Sequence, residues 1–142
     1  MKTKLDFFRL AFLLGFFILQ SNVKAQSTIA LQNNEHCAIT IDVYVIDIGT
    51  SALVNAPGSP FVVSGHSTIT IGMPTAPITW TNIFAAIVQI DGVNTSVTYG
   101  SQTSGPVTVN CPWSPPSLSP NGCGCSDNLL DWHSSIGGFS FY

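Results

Sequence analysis

Apolar and polar residues alternate with a period of two along most of the chain after residue 27, and helical spacing of apolar residues is nearly absent. Alternation places successive side chains on opposite faces of a strand, so the pattern predicts β-structure. Asp47 breaks the alternation, which indicates a bulge or strand end near Ile46. The predicted core-facing residues are Ile29 and Leu31, then Ile39, Ile41, Val43 and Val45, then Ile69 and Ile71. The predicted strands cover 28–32, 37–47, 61–63, 67–72, 82–90, 93–99 and 106–110.

The clearest local signal is the dipeptide Asp91-Gly92 between two apolar runs. Asp-Gly accommodates the two positive φ angles of a type I′ turn, so the runs are expected to form a tight hairpin. The run before the turn is apolar on both faces and predicts a central strand. The run after it alternates, with Val93, Val97 and Tyr99 on one face.

About seven short strands separated by turn clusters predict an all-β fold, a single antiparallel β-sandwich, with a small barrel as the lesser alternative. One core suffices for a chain of this length. We expect a secretory signal peptide over residues 1–25, the β-sandwich domain over 26–111, and a proline-rich C-terminal strap with a cysteine-containing tail over 112–142 that packs on the sandwich.

The strap is predicted because four prolines fall within residues 112–122, where they oppose both a ladder and a helix. A one-turn helix is expected near Ser126 to His133, capped by Ser126 or Asp127. The alternating end Phe139-Ser140-Phe141-Tyr142 predicts a tail that packs on the sandwich.

The signal peptide is indicated by a basic start, an apolar run from Leu10 to Leu19, and small residues around a cut after Ala25. All four lysines and arginines lie within the first 24 residues, so the predicted mature chain has no permanent cation. Nucleic acid is therefore excluded as a partner, because phosphate backbones are held mainly by Lys and Arg. The apolar run is too short to span a bilayer. We expect a secreted, extracellular protein with no membrane insertion.

Four cysteines in an exported chain predict two disulfides, from Cys37, Cys111, Cys123 and Cys125. Cys37 begins one predicted strand and Cys111 ends the last, which favours pairing these two and leaves Cys123 with Cys125. The alternative joins Cys123 and Cys125 in the tail to Cys37 and Cys111. A reactive Cys123–Cys125 pair is disfavoured, since no Lys or Arg is near to lower a thiol pKa.

Other site chemistry finds little support, and we predict no enzyme, no cofactor and no metal. Cys123, Cys125, Asp131 and His133 lack the spacing of known zinc sites. No calcium-loop pattern contains the carboxylates Asp42, Asp47 and Asp91. No nucleophile or metalloprotease motif contains the histidines His36, His66 and His133.

The tryptophans remain as candidate ligand-binding residues, because Trp80, Trp113 and Trp132 all fall outside the predicted strands. Exposed loop tryptophans stack on sugars or anchor partner proteins. The competing interpretation is that Trp113 and Trp132 cover one edge of the sandwich. The predicted function is a secreted, non-catalytic interaction module in adhesion or carbohydrate binding, with a glycan or extracellular protein as partner. The alternative is a structural subunit of a surface layer or fibre that self-associates through its strand edges.

Overall fold

Strands make up the regular structure of this protein wherever it is described. The computed structural model describes residues 28–47, 49–73, 80–113, 119, 123 and 128–142, with residues 80 and 81 described by their backbone. These residues form eleven strands and no helix. None of them forms a helix that is long and apolar enough to cross a bilayer. The predicted signal peptide, Cys125 and most of the predicted strap lie outside the described residues.

The all-β prediction is thus confirmed, and the strands fall in two sheets. In chain order the strands are β1 (Thr28–Asn33), β2 (Ile39–Asp47), β3 (Leu53–Asn55), β4 (Phe61–Val63), β5 (Ser67–Gly72), β6 (Trp80–Ile90), β7 (Val93–Asn94), β8 (Tyr99–Ser101), β9 (Val107–Thr108), β10 (Leu129–His133) and β11 (Gly138–Phe141).

The six-stranded sheet has β2 and β6 at its centre, as the two-faced apolar pattern of β6 predicts. Strands β3 and β4 pair with the outer side of β2, and β7 and β8 pair with the outer side of β6. The register between β2 and β6 shifts between Val45 and Asp47, which confirms the expected irregularity. Asp91 and Gly92 have φ angles of 49° and 78°, as the predicted hairpin turn requires.

The second arm of that hairpin is shorter than its alternation predicts. Only β7 continues from the turn, and the chain leaves the sheet before β8 resumes the pairing. Thr95 is the point of departure: its N–H donates to the carbonyl of Val88 at 2.9 Å and its hydroxyl to that of Ile87 at 2.6 Å. A side-chain hydroxyl therefore replaces a backbone ladder bond, and Val97 is exposed instead of paired.

The five-stranded sheet has the order β5-β1-β11-β10-β9 and brings the two ends of the described chain together. Strand β11 lies between β10, to which it is antiparallel, and β1, to which it is parallel. The expectation of a purely antiparallel fold is wrong at this one pair. The helix expected near 126–133 is also wrong over Leu129–His133, which form β10, while residues 126 and 127 lie outside the described residues. Burial of Leu130 in the core outweighs the local capping signal.

One cluster of buried side chains draws on both sheets and contains the predicted inward residues of β1 and β2. Ile71 of β5 is buried in it and Ile69 packs against it, which confirms the predicted inward face, while Thr68 and Thr70 are exposed. Two aromatic residues of β11, Phe139 and Phe141, are its largest fully buried members. The tail therefore supplies core as well as two strands.

A disulfide joins Cys37 to Cys123, with 5.9 Å between their Cα atoms. The favoured pairing of Cys37 with Cys111 is therefore wrong, and for Cys37 the alternative that bridges it to the tail holds. The geometric assumption failed because β2, which follows Cys37, and β9, which precedes Cys111, belong to different sheets. Cys111 is also disulfide-bonded, and the chain's one other cysteine is Cys125. Disulfides are typical of an oxidising, extracellular environment.

Candidate binding face

Strand alternation places aromatic side chains on the outer face of the six-stranded sheet. Val43 and Val45 of β2 point into the core, so Tyr44 between them points away from it. Ile83 and Ala85 of β6 likewise point inward, which turns Phe84 outward, directly opposite Tyr44 in the register. We call the set Tyr44, Phe84 and Tyr99 the aromatic patch.

Tyr99 completes the aromatic patch from the neighbouring strand β8. Its ring meets that of Tyr44 edge to face, with centroids 5.6 Å apart and planes at 68°, a favourable arrangement for aromatic pairs. Ala86 lies between Asp42 and Tyr99 in the sheet and is fully buried although it is not part of the core cluster. Outer-face side chains therefore cover it, while Tyr99 itself remains 48% exposed.

A carboxylate is fixed beside the aromatic patch. Asp42 accepts a hydrogen bond from the Tyr44 hydroxyl at 3.1 Å and one from the Ser59 hydroxyl at 2.7 Å, one on each oxygen. Ser59 is held in turn by the backbone N–H of Val43, which donates to its Oγ at 3.2 Å. The loop before β4 thus orients an outward-facing carboxylate whose remaining lone pairs can accept further hydrogen bonds.

The surroundings of the Tyr44 hydroxyl favour its protonated form. Burial first, and then the hydrogen bond and negative charge of Asp42, raise the pKa of Tyr44 from 10.0 to about 12. The single phenol hydrogen is thus committed to Asp42, and the Tyr44 oxygen keeps lone pairs that can accept a hydrogen bond. With two fixed acceptors, the Asp42 carboxylate and the Tyr44 oxygen, and three aromatic rings, this face offers apolar surface and hydrogen-bond acceptors but no cation, which suits a neutral polyhydroxyl ligand.

Sequence reasoning did not single out this face, because the aromatic patch is assembled from residues 44, 84 and 99. One usable signal was present. Both faces of β6 are apolar, so its outward residues Phe84 and Ala86 are expected to pack against side chains of neighbouring strands. Asp42 was considered only as one of three possible calcium ligands. It serves the Tyr44 and Ser59 contacts, and Asp47 accepts the backbone N–H of Gly49 at 2.8 Å.

The predicted tryptophan sites are placed apart by the fold. Trp132 lies on β10, half-buried, with its ring edge to face against Phe139 at a centroid distance of 5.0 Å. Trp113 is also half-buried, and both pack against the core cluster. Trp80 begins β6 and its backbone pairs with Asp47. Among the ring contacts of the described residues, none joins Trp113 or Trp132 to the aromatic patch.

Several of the metal ligands considered from the sequence make other contacts in the part of the chain that the structure describes, and Cys125 lies outside it. Cys123 is in the disulfide, so it supplies no thiolate beside His133. His133 instead bonds the Tyr142 hydroxyl at 2.8 Å and lies 3.5 Å from the Asp131 carboxylate. Asp91 approaches Cys37 and Cys123 within 4.8 Å, but the two sulfurs are bonded to each other. His36 and His66, which are 30 residues apart, contact each other.

Comparison of the chain with protein-family models, curated proteins and solved structures gave no match.

Proposed function

We propose that the protein is a secreted, non-catalytic interaction module that binds carbohydrate through the aromatic patch. The observation that carries the proposal is the grouping of three aromatic rings beside the fixed Asp42 carboxylate on an outer sheet face. Aromatic rings present flat apolar surface to the C–H faces of sugars. The Asp42 carboxylate and the Tyr44 oxygen would both accept hydrogen bonds from sugar hydroxyls.

The charge distribution narrows the ligand to neutral glycans. No Lys or Arg follows residue 24, so nothing beyond it carries the permanent cation that recognises a sulfate or sialic acid carboxylate. Asp42 would repel such groups. Neutral hexose polymers or oligosaccharides match the face better than acidic ones.

The scaffold of the proposed module is a β-sandwich whose two layers are the six-stranded and five-stranded sheets. The shared core cluster supports this arrangement, since its members come from inward positions of both sheets. The proline-rich strap over 112–122 would cross from the sandwich to Cys123. Secretion after a cut behind Ala25 accounts for the disulfides.

The proposal is tested with residues 26–142, oxidised and free of tag, on a glycan array, followed by calorimetric titration of the glycans that bind. Tyr99→Ala removes an exposed ring and is expected to weaken binding at least about tenfold, equivalent to about 1.4 kcal/mol. Tyr142→Ala is the matched control, because Tyr142 is a similarly exposed tyrosine, at 39%, that contacts His133 instead of the patch. Its affinity is expected to equal that of the wild type.

Three outcomes would contradict the proposal: no bound glycan, preferential binding of sulfated or sialylated glycans, or equal affinity in Tyr99→Ala. Trp113→Ala and Trp132→Ala are included because the sequence nominates these tryptophans. If either loses binding and Tyr99→Ala does not, the tryptophans form the site.

Assembly through strand edges is the second candidate, favoured by β5. This six-residue strand lies at the end of the five-stranded sheet, and its sequence Ser67-Thr-Ile-Thr-Ile-Gly72 contains no charge or proline to oppose pairing with another chain. A self-associating protein would show an apparent mass in light scattering that rises with concentration. Thr70→Lys places a charge on the exposed side of β5 and is expected to abolish that rise. A wild-type monomer at all concentrations would exclude this candidate.

A further inference from the structure

Two turns hold a pair of histidine rings against each other. His36 lies in the bend between β1 and β2, and His66 in the turn between β4 and β5. Nδ1 of His36 faces Nε2 of His66 in direct contact, and the ring centroids are 4.5 Å apart with planes at 67°. Both side chains are exposed to solvent. Two ring nitrogens that are 30 residues apart in the sequence therefore converge at an accessible point.

A buried asparagine ties the two turns together beneath the rings. Asn33 is 1% exposed, and its amide nitrogen lies 2.6 Å from the carbonyl of Cys37, 3.1 Å from that of Val63 and 3.2 Å from that of Ser64. Its amide oxygen accepts the N–H of Glu35 at 3.0 Å. One side chain thus bonds the backbone on both sides of His36 and the backbone just before His66. The disulfide at Cys37 anchors the same bend.

The backbone itself places the rings. A Cβ on Gly65 would lie 2.0 Å from the carbonyl oxygen of His36, so only glycine allows the turns to approach this closely. The N–H of His66 donates to the carbonyl of Glu35 at 2.9 Å. His66 has a φ of 50°, in the left-handed region that residues other than glycine seldom adopt. The convergence of the rings is therefore built into the turns.

We propose that His36 and His66 chelate one divalent transition-metal ion, of the copper, nickel and zinc class, through Nδ1 of His36 and Nε2 of His66. Neutral imidazole is the common protein ligand for these ions. The hydrogen between the facing nitrogens moves to an outer ring nitrogen when the metal takes its place, with no oxidation or reduction. Among the described residues no third Cys, His or carboxylate joins this pair within 4.8 Å, so water fills the remaining coordination positions.

Calorimetric titration of oxidised residues 26–142 with Cu²⁺, Ni²⁺ and Zn²⁺ in a non-coordinating buffer tests this site. One ion is expected to bind per chain, with Cu²⁺ tightest, as the general affinity order of these ions requires. His36→Gln and His66→Asn are each expected to lose at least about tenfold in affinity, since even outer-shell changes cost that much. Asn is chosen at His66 because it tolerates the left-handed backbone. His133→Gln, the third histidine, is the control and keeps wild-type affinity.

Two measurements on the wild type need no variant. Electron paramagnetic resonance of the Cu²⁺ complex should show coupling to two imidazole nitrogens. In histidine-selective ¹⁵N NMR, Zn²⁺ should shift the resonances of His36 Nδ1 and His66 Nε2 and leave those of His133 unchanged. The site is overturned if the wild type binds none of the three ions, if His36→Gln and His66→Asn bind as tightly as wild type, or if only His133 shifts. The result is independent of glycan binding.

Discussion

The central strands of the two sheets, β11 in one and β2 with β6 in the other, place Phe139 and Phe141 inward but Tyr44 and Phe84 outward. In the five-stranded sheet Phe139 and Phe141 point into the core and are each 1% exposed. In the six-stranded sheet the inward positions of β2 and β6 are aliphatic, and Tyr44 and Phe84 point outward beside the exposed Tyr99. The same alternation thus places aromatic residues in the core from one sheet and on a candidate binding face of the other. The difference is whether the aromatic residues occupy the inward or the outward positions of the alternating strands.

The sheets also differ in the sequence separation of the strands that they pair. All strands of the six-stranded sheet come from residues 39–101, whereas the other sheet pairs residues 30–33 with 138–141. Closing the five-stranded sheet therefore joins the two ends of the described chain, and the disulfide from Cys37 to Cys123 secures that closure. We expect substitutions in the five-stranded sheet to cost stability and those on the aromatic patch to cost binding.

The largest effect is expected from Gly138→Ala in β11. A Cβ there would lie 1.9 Å from the carbonyl oxygen of Ala30, so β1 and β11 would have to separate. We expect loss of cooperative folding, or a cost above about 4 kcal/mol, as for other severe backbone clashes. Gly72→Ala in β5 of the same sheet is the control, because nothing lies within 4 Å of its added Cβ. Denaturant unfolding of both variants decides the point, and a Gly138→Ala protein of wild-type stability would refute the pairing.

Aromatic truncation compares the two sheets directly. Phe141→Ala is expected to lower the free energy of unfolding by about 3–5 kcal/mol, because it empties a fully buried site. Tyr99→Ala is expected to cost less than about 1 kcal/mol, because about half of that side chain is already in water. Both values come from denaturant titrations under oxidising conditions. Equal losses in the free energy of unfolding would contradict the view that the aromatic rings stabilise the five-stranded sheet and are available for binding on the six-stranded one.

Removal of the Cys37–Cys123 bridge should lower stability, because the bridge links the two ends of the described chain. The bridge spans 86 residues, and the double variant Cys37→Ala with Cys123→Ala is expected to lose about 2–4 kcal/mol. Peptide mapping without reduction should join Cys37 to Cys123 and Cys111 to Cys125. Trypsin does not cut beyond residue 24 for want of Lys and Arg, so chymotrypsin is used. A bridge between Cys37 and Cys111 in the map would contradict the structure.

The smallest effect concerns Tyr44 and alkaline pH. Its pKa rises from 10.0 to about 12 on folding, so between these values the unfolded chain has lost a proton that the folded chain retains. The contribution of Tyr44 to the free energy of unfolding should therefore be fully present below pH 10 and decrease as pH rises towards 12. Tyr44→Phe should flatten this fall and cost about 1–2 kcal/mol near neutrality through the lost bond to Asp42.

Denaturant unfolding of wild type, Tyr44→Phe and the control Tyr142→Phe at several pH values measures this effect. The control is expected to keep the wild-type slope. An identical slope in Tyr44→Phe would show that Asp42 does not hold the phenol in the folded state.

Local pattern by itself was sufficient for the all-β class and for most strands between residues 28 and 90. The alternation of Ile39 to Val45 identified the inward face, and Asp91-Gly92 identified a hairpin turn, because both signals act over a few neighbouring residues. The break at Asp47 marked an irregularity for the same reason. In each case the chain's own periodicity carries the information.

Only the tertiary structure decided the features that depend on distant residues. The tail enters the sheet as β10 and β11 because Leu130, Phe139 and Phe141 fill a core that no local window reveals. The Cys37–Cys123 pairing, the aromatic patch and the contact of His36 with His66 likewise follow from which strands become neighbours. Pairing between distant segments is selected by burial summed over the whole core, and that sum exists only in the folded chain.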